Sequence, residues 1–150
     1  MSKFITRIFE KVKGAPKDTV LPTRATEHSA GYDFVAPADI VIPAGGVSGL
    51  VFTNVKCGMR ANEFLMLVVR SSLAVKHQIT FESSGIIDSD YYSNKDNDGN
   101  IGINFRNNGT SDYVIKKGER CVQGIFIKYL TTENDTANMK RIGGYGSSGK

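Results

Sequence analysis

A chain of 150 residues has the length of one domain, and 40% apolar with 23% charged residues is the balance of an ordinary folded protein. No apolar run reaches the ~18 residues of a membrane-spanning helix, and the basic flank from Lys3 to Arg7 lacks the apolar stretch of a signal peptide, so a cytoplasmic protein is expected, or one of the host cytoplasm if it is virus-encoded. The net charge of +4 suits an anionic partner, nucleic acid or a phosphorylated small molecule, and equally a merely soluble surface, while Cys57 and Cys121 stand outside any metal-ligand spacing and read as two reduced, buried thiols.

In chain order the periodicity is that of strands. Residues 4–10 alternate loosely and are broken at Gly14-Ala15-Pro16. Residues 34–42 carry Pro37 and run into Pro43, which suits strand edges better than a helix interior. Residues 50–55 and 63–70 are β-branched or aromatic runs, with 57–62 read as the turn between them. Only 73–77 reads as a helical turn. Residues 78–81, 101–105, 113–115 and 121–130 complete the strands, each bounded by Gly, Asn, Asp or Ser. Many short strands with frequent turns predict an all-β sandwich, jelly roll or barrel.

Four stretches carry chemistry. In Gly85-Ile86-Ile87-Asp88-Ser89-Asp90-Tyr91, the glycine permits close backbone approach and the two isoleucines are expected to anchor a strand in the core. Asp88 and Asp90 share a side if that strand continues, and Asp88 then faces a pocket floored by Tyr91. The same letters also suit a solvated Asp-Ser-Asp turn. Arg70-Ser71-Ser72-Leu73-Ala74 offers a phosphate a guanidinium fork and two hydroxyls, and Ser71 or Ser72 would cap a helical turn beginning at Leu73. A plain serine cap beside a solvent-facing arginine fits equally. Lys117 to Gly124 places a charged turn before a buried strand, with Gln123 as a polar contact. The terminal Arg141-Ile142-Gly143-Gly144-Tyr145-Gly146-Ser147-Ser148-Gly149-Lys150 matches a dinucleotide fingerprint and a Walker A loop by letter, but neither match has the flanking strand and helix that its chemistry requires. Its glycines can still wrap N–H groups around phosphates, as they can also form an ordinary mobile tail. Tyr145 is out of place in a mere linker.

Taken in order, these stretches resemble the five motifs of the trimeric-type dUTPase family: Pro22-Thr23-Arg24-Ala25-Thr26 through Ser29-Ala30-Gly31-Tyr32-Asp33, then Arg70 to Ala74, Gly85 to Tyr91, Lys117-Gly118-Glu119-Arg120 with Gln123, and Gly143 to Gly149. The resemblance implies a jelly-roll homotrimer whose three active sites draw on all subunits, with one domain over 1–150, its core to about residue 139 and a swapped tail over 140–150. It implies hydrolysis of dUTP to dUMP and pyrophosphate, which limits uracil incorporation into DNA, with Asp88 activating the attacking water. Tyr91 would pack under the deoxyribose, the backbone over 81–87, Gly85 and Ile87 included, would read uracil, and Arg70, Ser71, Ser72 and Gln123 would hold phosphates. A Mg²⁺ on the phosphates would be reached by Asp33 through water. Tyr145 would stack on uracil, with Gly146, Ser147, Ser148 and Arg141 closing on the substrate and Lys140 an alternative to Arg141. Neither a direct nucleic-acid partner nor a membrane is implied.

Against the family pattern, Tyr145 stands where phenylalanine is usual, Glu82 where some relatives carry asparagine, and residues 93–98 are extra sequence. Within that insertion, between Ser93 and Asp98, the spacing of Asn94, Asp96 and Asp98 imitates the start of a calcium loop, but Phe105 stands at the closing acidic position; a polar hairpin extension or a docking surface for another protein is expected. Two alternatives are a regulatory protein-binding role for the same fold and dCTP deamination. The deaminases usually carry arginine where Val75 stands and a catalytic glutamate where Asn104 stands.

Overall fold

Apolar residues at every second position give the chain its sheets. The computed structural model describes residues 6–82 and 85–146. Along them run β1 (Ile8–Lys11), β2 (Thr23–Arg24), β3 (Tyr32–Val35), β4 (Ile40–Ile42), β5 (Val51–Phe52), β6 (Val55–Gly58), β7 (Glu63–Val69), helix α1 (Ser71–His77), β8 (Ile79–Phe81), β9 (Ile86–Asp88), a 3₁₀ turn (Ser89–Tyr91), β10 (Gly102–Ile103), β11 (Phe105–Asn107), β12 (Tyr113–Ile115) and β13 (Arg120–Lys128). In β7 the alternation is plain: Glu63, Leu65 and Leu67 are buried and the residues between them only partly so. The all-β expectation holds.

The largest sheet has five antiparallel strands in the order β2-β3-β13-β7-β9, and four antiparallel pairs, β1-β6, β5-β10, β8-β11 and β4-β12, surround it. One core joins them, built on Phe34, Ile42, Leu65, Ile79, Ile103, Phe105, Ile115 and Val122. Phe81 stacks on Phe105 with ring centroids 5.5 Å apart. Glu63 is buried at the start of β7, where Arg7 donates to both its oxygens, the Nε bond at 2.9 Å. The Arg7 hydrogen bond holds the carboxyl below its ordinary range against the opposing effect of burial.

Several boundaries differ from expectation. Cys57 and Gly58 belong to β6 rather than to a turn, because β1 pairs along them. The run 101–105 divides at Asn104, with β10 and β11 pairing with different partners. The helix begins at Ser71, two residues earlier than Leu73, and its cap is the extended Arg70, with no side-chain cap bond; the two serines lie in the first turn instead of capping it. Ile86 is 49% exposed, whereas Ile87 is buried, because β9 is the edge strand of its sheet and presents only alternate residues to the core.

Candidate active site

The backbone of β9 lies very close to β7. The Leu67 N–H donates to the Gly85 carbonyl at 2.7 Å, and a Cβ on Gly85 would stand 2.6 Å from the Leu67 Cβ and 3.1 Å from its carbonyl oxygen. Glycine is required there by space. Gly85→Ala is therefore expected to push β9 off β7, displace Asp88 and lower the melting temperature by roughly 2–10 °C, the scale of an overpacked core position in a chain of this size, which a melting curve beside the unmodified chain checks.

Pairing with β7 brings Asp88 opposite Phe64. The strand then ends and the 3₁₀ turn begins, so Asp88 and Asp90 are not successive positions on one strand face, yet both carboxylates converge on one cation. Arg141 donates from Nη2 to Asp88 Oδ2 at 2.8 Å and from Nε to Asp90 Oδ1 at 2.7 Å. Its side chain is only 13% exposed, while the two carboxylates remain more than half exposed.

Tyr91 is buried behind them. Its hydroxyl donates to the Asn100 carbonyl at 2.8 Å and accepts from Asn97 Nδ2 at 2.7 Å. Burial pushes the phenol up to about 12, the Asn97 hydrogen bond pulling the other way, so it stays neutral at any working pH. The ring of Tyr145 crosses that of Tyr91 edge-on, with centroids 6.0 Å apart, and its hydroxyl accepts from the Gly102 N–H at 3.2 Å. Beneath Tyr145 lies a slot lined by Leu50, Phe81, Gly85, Ile87, Gly102 and Asn104. Glu82 does not face that slot as a free charge, because Arg106 pairs with both its oxygens at 2.5 and 2.6 Å.

The other candidate residues gather elsewhere. Arg70, Ser72, His77, Tyr113 and Arg120 line a second cleft. Gln123 stands opposite Asp33 on β3 and Val68 on β7, with Gly31 against its side chain. Asp33 is buried; its Oδ2 accepts from Arg120 at 3.3 Å, and its Oδ1 has no hydrogen-bond partner. Ser71 is exposed beside them at the helix start.

These two groups sit at opposite ends of β7. From Phe64, beside Asp88, to Arg70, just past Val69, the strand runs about 20 Å at ~3.3 Å per residue. One chain does not bring Asp88 to Arg70. In this single chain Arg141 pairs with Asp88 and Asp90, and the Tyr145 ring meets that of Tyr91. Ser147 and Ser148 fall outside the described residues. Asn97 and Asp96, which the sequence placed in a polar extension or a docking surface for another protein, prove to touch Tyr91 and Gly144; the calcium-loop-like spacing that takes in Asp96 signals neither contact.

The dUTPase family model matches residues 17–149. The chain is also 44% identical over 132 residues to the deoxyuridine 5′-triphosphate nucleotidohydrolase of Lactococcus lactis, covering 86% of this chain and 87% of that protein. It belongs to the dUTPase family. The crystal structure of dUTPase from Streptococcus mutans superposes with a TM-score of 0.77 at 38% identity, over 84% of this chain and 98% of that one. A mutant dUTPase from a phage of Staphylococcus aureus, phi11, which coordinates a structural Mg(II) ion, is 20% identical with a TM-score of 0.72, over 89% and 97% of the two chains, and shows the shared fold alone. Among dUTPases the deaminase alternative loses its ground, and here Asn104 merely accepts a hydrogen bond from Ser48 at 3.3 Å.

Proposed function

We propose that the protein hydrolyses dUTP to dUMP and pyrophosphate, with Asp88 as the general base. The observation that carries this reading is the placement of Asp88 at the end of β9, beside buried Tyr91 and a slot covered by Tyr145. A carboxylate in that position can take a proton from water as the water oxygen bonds to the α-phosphorus. The bond from that phosphorus to the bridging oxygen of the β-phosphate breaks, and pyrophosphate leaves with the electron pair. The slot accepts a flat base between the 85–87 backbone and Gly102, and the Tyr91 ring against the sugar leaves no room for a 2′-hydroxyl. Binding Tyr145 over the base would exclude bulk water and strengthen the electrostatics.

The phosphate-holding residues are Arg70, Ser71, Ser72 and Gln123. Because they stand about 20 Å along β7 from Asp88 within one chain, a complete site takes them from a neighbouring subunit of a homotrimer. Asp33 suits a hydrated Mg²⁺: its unpartnered Oδ1 is an acceptor for a metal-bound water, and among the described residues no group of three acidic, His or Cys side chains forms a cage that would strip the ion's hydration. When bound, Mg²⁺ neutralises charge on the phosphates. Arg141 and Gly146 close the tail on the substrate, with Arg141 transferring from the two aspartates to a phosphate.

The test is pyrophosphate release from dUTP with Mg²⁺, beside dCTP, dTTP and UTP. Turnover of dUTP alone, at least about 100-fold above the other three, is expected; equal turnover of UTP would remove the role given to Tyr91.

A further inference from the structure

An apolar wall discriminates only about 10²-fold against an analogue that adds one hydroxyl, and it does even that only while it holds its position to about 0.5 Å. A wall that yields admits the extra atom. Tyr91 sits in the 3₁₀ turn that follows Asp88 and is buried there. Its hydroxyl is held twice, as donor to the Asn100 carbonyl at 2.8 Å and as acceptor from Asn97 Nδ2 at 2.7 Å. Its carbonyl is held by Asn94, from the side chain at 2.8 Å and from the backbone N–H at 3.3 Å. Both ends of the residue are fixed, and of these partners Asn94 and Asn97 belong to the insertion over 93–98.

Asn97 is itself aimed. Its Oδ1 accepts from Asn94 Nδ2 at 2.8 Å and from the Gly99 N–H at 3.1 Å, so the amide can present only its NH₂ group to the phenol. Gly99 closes the turn at a φ of +80°, where a Cβ would stand 2.9 Å from both the Ser93 nitrogen and the Tyr91 carbonyl oxygen. Only glycine fits. The far end of the turn is tied to the body of the sheet: Asp98 accepts from Lys56 Nζ at 3.1 Å and from the Lys13 N–H at 2.9 Å, and Asn100 Oδ1 accepts from the Asn54 N–H at 2.9 Å. Every partner lies between Lys13 and Asn100, so the support does not depend on the C-terminal segment.

We propose that Asn97 is a positioning residue for sugar selection: from the inserted turn it locks the Tyr91 hydroxyl and keeps the ring hard against the 2′ position of the nucleotide. Asn94 and Gly99 orient its amide for that bond. The inference rests on the reading of Tyr91 as the wall beneath the deoxyribose, and it supplies the stiffness that such a wall needs.

The measurement is kcat/KM for dUTP and for UTP with Mg²⁺, in the unmodified enzyme, Asn97→Ala, Tyr91→Phe and the double variant. The two single variants remove the same hydrogen bond from its two sides, and each is expected to lower the dUTP-to-UTP ratio about 5-fold, the factor that the net contribution of one hydrogen bond allows. In Asn97→Ala the change is expected as a rise in kcat/KM for UTP. A poorly folded fraction would lower both substrates alike and leave the ratio where it was. Tyr91→Phe leaves the turn's own hydrogen bonds in place, and so decides the matter even where Asn97→Ala folds badly. The double variant is expected to discriminate no worse than Tyr91→Phe alone, because without the hydroxyl Asn97 has nothing to hold. An unchanged ratio in either single variant, or a further fall in the double variant, would overturn the proposal and leave the reading of Tyr91 standing. Equal turnover of dUTP and UTP by the unmodified enzyme would remove that reading, and the proposal with it.

Discussion

Asp88→Asn is expected to lower kcat for dUTP about 10²–10⁴-fold, the usual contribution of a positioned general base. The substitution keeps the size and planarity of the side chain and leaves an oxygen for Arg141, which Asp90 continues to hold at its other nitrogen. What disappears is the ability to accept a proton from water. Binding of dUTP should therefore survive, and titration calorimetry with the variant, beside the pyrophosphate assay, separates the two. Activity within about tenfold of the unmodified enzyme would transfer the base role to Asp90, the other carboxylate on the same guanidinium.

Mixing two dead variants is expected to revive the enzyme. Arg70→Ala and Asp88→Asn each remove one half of a site whose halves stand at opposite ends of β7. Either variant alone should be inactive or nearly so. If the protein is the proposed homotrimer, the two variants unfolded and refolded together in equal amounts would form mixed trimers in which about one site in four draws an intact Asp88 and an intact Arg70 from two different chains, so activity should return to about a quarter of the unmodified level. If the site were complete within one chain, each variant would carry its own defect into every site and mixing would restore nothing. Size-exclusion chromatography of the mixture checks that the trimers formed.

Much of this was legible in the letters because it is local. The period-two runs gave Tyr113–Ile115 to the residue and β7 to within one, and the space requirement at Gly85 followed from a glycine beside two β-branched residues. The errors have one source. Whether Ile86 is covered depends on β9 being an edge strand, and whether Cys57 pairs depends on β1, some 48 positions earlier in register. Arg141 reaches aspartates 51 and 53 residues away. Such pairings are decided by topology, and a motif that marks Arg141 as a phosphate ligand carries no information about its partner in the empty protein. The contacts of the insertion were hidden for a related reason: Asn94 and Asn97 spell an ordinary turn, and their hydrogen bonds to the Tyr91 carbonyl and hydroxyl follow from how that turn folds back.

The guanidinium that bridges Asp88 and Asp90 also changes how substrate and salt compete. Arg141 is not a bare cation in water; if it transfers to a phosphate as proposed, it leaves one pair of anions as it joins another. Ion exchange of this kind releases far less charge to the solvent than a first encounter between free ions, so the tail's contribution to affinity should vary little with ionic strength, while the open cleft around Arg70 and Arg120 carries the salt dependence.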